Sequence, residues 1–154
     1  MNIKKGTHAP LRFPCLVTEA RTVFLVSFTD SCKYDIGGDQ SDINKLFGVG
    51  HFPHHHKNSV RFGWRWVPDL SKIEILAYYY INGQRMDRHM VFVEIGERLV
   101  YEVNGEGSFY SLIIHGSTYL DIPLKPARVG YLLQPYFGGN QTAPHDIEIE
   151  INRA

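Results

Sequence analysis

The sequence predicts an all-β protein, an antiparallel sandwich with little helix, and three observations lead to this fold class. Short segments alternate apolar and polar side chains, as strands with one buried face do. Turn-forming residues separate these segments, and one turn is the hairpin marker Asn82-Gly83. No window of about a dozen residues keeps a helical period of about 3.6. About nine short strands at this spacing are typical of a sandwich or barrel.

The predicted strands follow one another along the chain with a turn after most of them. In the last strand, Ile147, Ile149 and Ile151 share one face, and acidic residues occupy the other. Residues 42–47 are predicted to form one helical turn within a surface excursion over residues 31–57, and residues 138–142 are interpreted as a turn that shapes a groove wall. The strands are placed at residues 22–29, 59–67, 73–81, 90–95, 99–103, 109–115, 120–122, 129–137 and 146–152.

Length and charge limit the organisation of the chain and the partners it could have. The 154 residues fit a single sandwich domain over residues 1–154. Sixteen acidic and sixteen basic residues cancel, so nucleic-acid binding is not expected. We see no signal peptide and no apolar stretch long enough to enter a membrane. The compartment and the oligomeric state stay open, and no cofactor is expected.

Polar side chains on three predicted strands suggest a binding face. In the segment 59–67, Arg61 and Arg65 point away from Phe62, Trp64 and Trp66. Arginine can hold a carboxylate or sulfate through two hydrogen bonds, and tyrosine rings can stack on sugars. A polyhydroxylated or anionic ligand would suit this face; an Arg–Glu ion pair and cross-strand aromatic pairing are the structural alternatives. The candidate ligand-binding residues are Arg61, Arg65, Glu74, Tyr78, Tyr80, Gln134 and Tyr136.

Histidines and cysteines are the residues of this sequence that could form a metal or redox site. Four histidines crowd residues 51–56, and His51, His54 and His56 are weak candidates for metal ligands. The alternative is that these imidazoles face solvent or border a ligand. Cys15 and Cys32 are expected to be reduced thiols, with a single disulfide as the alternative.

The pattern over residues 46–151 resembles the concanavalin A-like jelly rolls, which include laminin-G-type modules and sandwich polysaccharide lyases. Lyases of the alginate-lyase type carry a strand Arg-x-Glu-Leu-Arg, and the segment from Arg61 to Arg65 keeps both arginines with Gly63 between them. Their Gln-x-His strand is similar to the segment ending at His115, which has Ile113 in place of the glutamine. Their Tyr-x-Lys-x-Gly-x-Tyr strand is loosely similar to residues 131–136. The resemblance implies a concave sheet that binds a glycan chain.

Three functions are compatible with this pattern. We expect a non-catalytic carbohydrate-binding domain, because Gly63 and Ile113 stand where the lyases place a carboxylate and an amide. The first alternative is a lyase acting on a polymer that contains uronic acid. Arg65 or Gln134 would then neutralise the carboxylate, His115 would be the base and Tyr136 the acid. The second alternative is a structural or assembly domain, as in a phage or surface protein.

Overall fold

A computed structural model describes residues 1–10, 15–17 and 21–154 of the chain. Within these residues, twelve strands form two antiparallel sheets of six strands each. The strands are β1 (Asn2–Ile3), β2 (Cys15–Val17), β3 (Arg21–Phe28), β4 (Asn44–His51), β5 (Ser59–Val67), β6 (Lys72–Ile81), β7 (Gln84–Val93), β8 (Leu99–Glu106), β9 (Phe109–Ile114), β10 (Ser117–Ile122), β11 (Gly130–Leu133) and β12 (Ile147–Arg153).

The order of strands in each sheet confirms the predicted all-β jelly-roll sandwich. The first sheet has the order β1-β12-β3-β8-β9-β10, and the second has the order β2-β11-β4-β5-β6-β7. Asn82 and Gly83 have φ angles of 51° and 85° and close the turn between β6 and β7, as this residue pair predicts. Short 3-10 turns, at Asp30–Cys32, Gly37–Asp39 and Pro68–Leu70, are the helical elements of the described residues.

The core lies between the two sheets and takes its largest side chains from β5. Phe62 and Trp64 are fully buried, whereas Arg61 and Arg65 of the same strand point to the opposite face. The Phe62 ring lies 5.2 Å, centroid to centroid, from the ring of Tyr101 in the first sheet. The alternation of β5 is therefore confirmed by packing across the sandwich.

The other predicted core positions are buried to different degrees. Ile147 and Ile149 of β12 are buried, whereas the alternating Glu148 and Glu150 are exposed. Tyr79 and Ile151 pack against the core but are only partly buried, since both lie toward the ends of their strands. Ile151 belongs to the predicted apolar face of its strand, so its facing was predicted correctly even where the degree of burial was not.

The helical turn at residues 42–47 and the surface excursion over residues 31–57 were wrong predictions. Strand β4 occupies most of the first segment and lies inside the second sheet, hydrogen-bonded to β11 and β5. A bulge between Lys45 and Gly48 interrupts its alternation, so that the consecutive residues Leu46 and Phe47 are both buried. Strand β7 also begins at Gln84, six positions before the predicted start.

The two cysteines are free thiols, so the disulfide alternative is wrong for this structure. Cys15 is exposed on β2, and Cys32 is buried beside β12, where its Sγ lies 3.4 Å from the carbonyl oxygen of Glu148. Burial raises the pKa of the Cys32 thiol to about 12, so this thiol stays protonated and unreactive near neutral pH. Among residues 1–10, 15–17 and 21–154, no helix has the length and apolar character needed to cross a membrane.

Candidate functional site

The outer face of the second sheet, away from the core, collects most of the predicted site residues. The register pairs Arg61 with Tyr78 and Arg65 with Glu74 across β5 and β6, which places these four side chains on one face. Tyr80 follows on the same face of β6. The alternation of the sequence therefore predicted the facing of these five residues correctly.

A groove of about 310 Å³ lies on this face, and we call it the cationic groove. Its most enclosed cation is Lys45, whose Nζ lies 5.2 Å from the ring centroid of Tyr78 and 5.7 Å from that of Tyr136. The Lys45 ammonium also donates a hydrogen bond of 2.9 Å to the carbonyl oxygen of Gly138. The lining residues are Ser41, Asp42, Ile43, Lys45, Arg65, Tyr78, Arg85, Asp87 and Gly139.

Lys45 in the groove and the neighbouring buried Arg61 lack a carboxylate partner in the described part of the chain. Burial and the neighbouring charges of Arg61 and Arg85 lower the pKa of Lys45 to about 8, although Asp42 opposes the shift. Burial lowers the pKa of Arg61 to about 10, and its side chain is only 6% exposed. Arg61 donates one hydrogen bond of 2.7 Å to the backbone oxygen of Gln134, and its Nε has no partner among the described residues. Asp42 and Asp87 also line the groove, and Asp87 lies 3.8 Å from Arg85, so the positive charge without a bonded carboxylate is that of Lys45 and of the buried Arg61.

Arg65 is held in place by an ion-pair network, the alternative that the sequence left open. Its Nε donates to a carboxylate oxygen of Glu74 at 2.6 Å, and its Nη1 donates to the backbone oxygen of Ser41 at 2.8 Å. The second oxygen of Glu74 lies 2.8 Å from Nδ1 of His89 on β7. Glu74 is buried, and each of its carboxylate oxygens already has a side-chain partner. Glu74 therefore orients Arg65 rather than contacting a ligand.

The side-chain amide of the buried Asn44 fixes the wall of the groove that Gly139 forms. Asn44 on β4 donates from Nδ2 to the hydroxyl of Tyr34 at 2.7 Å, and its Oδ1 accepts a hydrogen bond from the backbone of Gly138. The following residue, Gly139, lines the groove, in agreement with the predicted role of residues 138–142. Backbone hydrogen bonds of 2.8 and 2.9 Å between Lys45 and Tyr136 join this wall to β4.

Gly48 gives Arg61 the room to lie against β4. A Cβ on Gly48 would collide with the carbonyl of Val60 and with the backbone and Cβ of Arg61. We expect Gly48→Ala to lower the free energy of unfolding by roughly 1–3 kcal/mol, as overpacking does, in a urea titration. Gly38→Ala is the matched control, because nothing lies within 4 Å of a Cβ at that position. Equal stabilities of the two variants would contradict the close approach of β4 and β5.

Gln134 is not among the residues that line the cationic groove. Its backbone oxygen accepts a hydrogen bond from Arg61, and the residue lines a separate small pocket with Phe24 and Phe47, which belong to the core region. Tyr136 lies on the groove side through its contact with Lys45. Regular pairing of β11 ends at Leu133, so strand alternation does not fix the facing of Gln134 and Tyr136, both of which were predicted to bind ligand.

His115 is also separated from the groove. It lies in the exposed turn between β9 and β10 of the first sheet, with a φ angle of 48°. Arg65 lies on the second sheet and Tyr136 forms a bridge with Lys45 of that sheet, so His115 does not join them in one centre. The sequence could not show this, because alternation fixes the facing of a side chain within a strand but not the order of the strands.

The histidine loop does not gather a metal site. His51 points toward the core, with Nε2 lying 3.0 Å from the hydroxyl of Tyr110, while His54 and His56 are exposed. The rings of His55 and His56 lie 4.3 Å apart. Across the described ranges, no three or more His, Cys, Asp or Glu side chains are grouped so as to hold a metal ion.

Sequence reasoning missed Lys45, Arg85 and Asp87, which line the cationic groove. Lys45 was hidden by the bulge in β4, because a segment that breaks alternation was interpreted as a helical turn. Arg85 and Asp87 alternate with Met86 and Arg88 at the start of β7. That alternation, directly after the Asn82-Gly83 turn, was the signal that the second strand of the hairpin begins at Gln84.

Two stacked antiparallel sheets in this order define a concanavalin A-like jelly-roll sandwich, and solved structures of that class match the chain. The alginate lyase AlyC3 superposes with a TM-score of 0.67 at 10% sequence identity, over 99% of this chain and 71% of its own. The alginate lyase vAL-1 from a Chlorella virus gives a TM-score of 0.51 at 10% identity, over 99% of this chain and 83% of its own.

Galectin LEC-6 of Caenorhabditis elegans also shares the fold, with a TM-score of 0.50 at 12% identity over 93% of this chain and 94% of its own. At such low identities these likenesses show the fold alone. No protein-family model and no curated protein sequence matches the chain.

Proposed function

We propose that this protein binds an acidic glycan, one containing uronic acid, in the cationic groove. The observation that carries the proposal is Lys45, an enclosed cation that lines the groove and has no carboxylate partner among the described residues, while the buried Arg61 nearby adds positive charge. Enclosing a cation costs free energy unless an anion compensates it. A uronate carboxylate in the groove would supply that anion, and the arginines of its walls would add hydrogen bonds.

Two further features support a sugar rather than another anion. The rings of Tyr78 and Tyr136 flank Lys45, and aromatic rings beside hydrogen-bonding groups suit the mixed polar and apolar faces of a sugar. The solved structures that share the fold include two alginate lyases and a galectin. That alginate lyases and a galectin share this fold supports a glycan ligand here.

A second candidate function is cleavage of the same glycan by β-elimination, and the position of Lys45 favours it. With a pKa of about 8, a neutral Nζ is accessible under mildly alkaline conditions. Neutral Nζ would take the proton from C5 of the uronate while Arg65 and Arg85 stabilise the charge that develops on its carboxylate. The C4–O bond would break as the C4–C5 double bond forms, and the Tyr136 hydroxyl would protonate the leaving oxygen. Lys45 would replace the distant His115 as base.

The two candidates predict opposite responses to pH. Binding of a carboxylate uses the protonated Lys45, so affinity should fall as the pH rises through about 8. Elimination uses the neutral amine, so its rate should rise over the same interval. Affinity for alginate oligosaccharides is measured by calorimetry, and elimination is followed by the absorbance of the unsaturated product.

The controls are a neutral glucan oligosaccharide of the same length and an ionic-strength series at one pH. We expect the neutral oligosaccharide to bind at least about tenfold more weakly, since it forms no charge-assisted hydrogen bond. Equal affinities for the neutral and the acidic oligosaccharide would contradict an acidic-glycan site. Absence of product across the pH series would leave binding as the function and reject elimination.

A further inference from the structure

A row of aromatic and imidazole rings runs from the cationic groove across the outer face of the second sheet, toward β11. The ring of Tyr78 lies 6.0 Å from that of Tyr80, which lies 5.4 Å from that of His56. The rings of His56 and His55 are 4.3 Å apart. We call the far end of this row, Phe52, His55, His56 and Tyr131, the aromatic shelf.

The aromatic shelf is built on β4 and β11. A Cβ on Gly50 would lie 2.8 Å from Cζ of Tyr131, so the glycine lets the Tyr131 ring rest on the backbone of β4. The Tyr131 hydroxyl lies 3.2 Å from Nδ1 of His55, and its ring lies 5.3 Å from that of Phe52. Phe52 is 56% exposed, so a large apolar ring faces solvent at the edge of a supported surface.

The aromatic shelf differs from the cationic groove in its charge. Burial, with the neighbouring His56, Arg61 and His54, lowers the pKa of His55 to about 4, so its imidazole is neutral at pH 7. The ring of Phe52 carries no charge, and the exposed Lys57 lies at the end of the same loop. The uncharged rings of Phe52 and His55 favour stacking on the apolar face of a sugar over the binding of a carboxylate.

We propose that the aromatic shelf is a second subsite, which stacks another sugar ring of the glycan whose uronate occupies the cationic groove. This inference rests on the proposed function. From β7, which carries Arg85, to β11, which carries Tyr131, the sheet crosses four strand spacings, or roughly 19 Å at about 4.8 Å each. That span exceeds one sugar ring, so the ligand is a segment of a polymer.

The test compares an alginate disaccharide with an alginate hexasaccharide on the wild-type protein and on Phe52→Ala and Tyr131→Ala. Loss of a stacking ring should weaken the hexasaccharide roughly tenfold and leave the disaccharide unchanged, because the shorter ligand occupies only the cationic groove. Phe109→Ala is the matched control, since Phe109 is also exposed but lies on the first sheet. It should change neither affinity.

The other outcomes separate the two proposals. Unchanged hexasaccharide affinity in both shelf variants would overturn the second subsite and leave the cationic groove standing. An equal loss for both ligand lengths would also overturn it, because the aromatic shelf would then act on the groove and not on a distant sugar. If the wild-type protein binds neither oligosaccharide, the proposed function fails and this inference fails with it. Thermal unfolding of each variant shows that the compared proteins are folded.

Discussion

Trp64→Ala is expected to lower the free energy of unfolding by about 3–5 kcal/mol, the cost of removing a large aromatic side chain from a core. Trp64 is fully buried at the centre of β5. Its ring lies 5.3 Å from that of Phe28, 5.9 Å from that of Tyr34 and 6.3 Å from that of Phe137. The cavity would therefore open between the two sheets, and a denaturant titration followed by fluorescence or circular dichroism measures the loss.

Trp64→Phe is the informative control for this variant. The indole Nε1 of Trp64 has no hydrogen-bond partner among the described residues, so removing it breaks no such bond. We expect Trp64→Phe to cost clearly less than Trp64→Ala, since most of the ring contact remains. Leu70→Ala, at a position that is 50% exposed, should change stability by no more than about 0.5 kcal/mol. A loss below about 1 kcal/mol for Trp64→Ala would contradict the packing of β5 against the first sheet.

Lys45→Met is expected to weaken the binding of alginate oligosaccharides by about 1.5–3 kcal/mol, roughly tenfold to more than a hundredfold. The substitution removes the enclosed ammonium and keeps an apolar stem of similar length between the rings of Tyr78 and Tyr136. Calorimetric titration of the variant and the wild type at pH 6 to 7, where Lys45 is protonated, measures the difference.

For Lys45→Met, we expect the affinity for the ligand to fall without a fall in the free energy of unfolding. The lowered pKa of Lys45 means that the folded state disfavours its charge, so the ammonium destabilises the fold at a pH below about 8. Lys45→Met removes that penalty, and the variant should unfold at the same or a higher denaturant concentration. Lys125→Met, which removes an exposed lysine beyond β10, should leave both quantities unchanged. Undiminished affinity in Lys45→Met would place the ligand elsewhere.

Regular alternation made much of the fold predictable. Strands β5 and β12 alternate without interruption over most of their length, so both their existence and the facing of Arg61, Trp64 and Ile149 followed from the sequence. The turn at Asn82-Gly83 identified the hairpin between β6 and β7 for the same local reason. In each case a short-range pattern fixed a short-range structure.

The parts of the site that could not be predicted depend on long-range or irregular features. The bulge in β4 lets Lys45 and Gly48, three positions apart, lie on the same outer face, which a strict alternation forbids. The distance of His115 from Arg65 depends on which sheet receives β9 and β10, and nothing local to either segment encodes that choice. Strand order is set by the packing of the whole chain. The resemblance did not supply that order, and His115 therefore lies on a different sheet from Arg65.

The buried amide of Asn44 has a consequence for the thermodynamics of recognition. By joining Tyr34 to the backbone of Gly138, it immobilises the Gly138–Gly139 turn before any ligand arrives. A binding surface whose backbone is already ordered loses little conformational entropy on association, so more of the contact energy remains as affinity. Recognition at this wall is accordingly expected to proceed without rearrangement of the main chain, with adjustment limited to side-chain rotamers and displaced water.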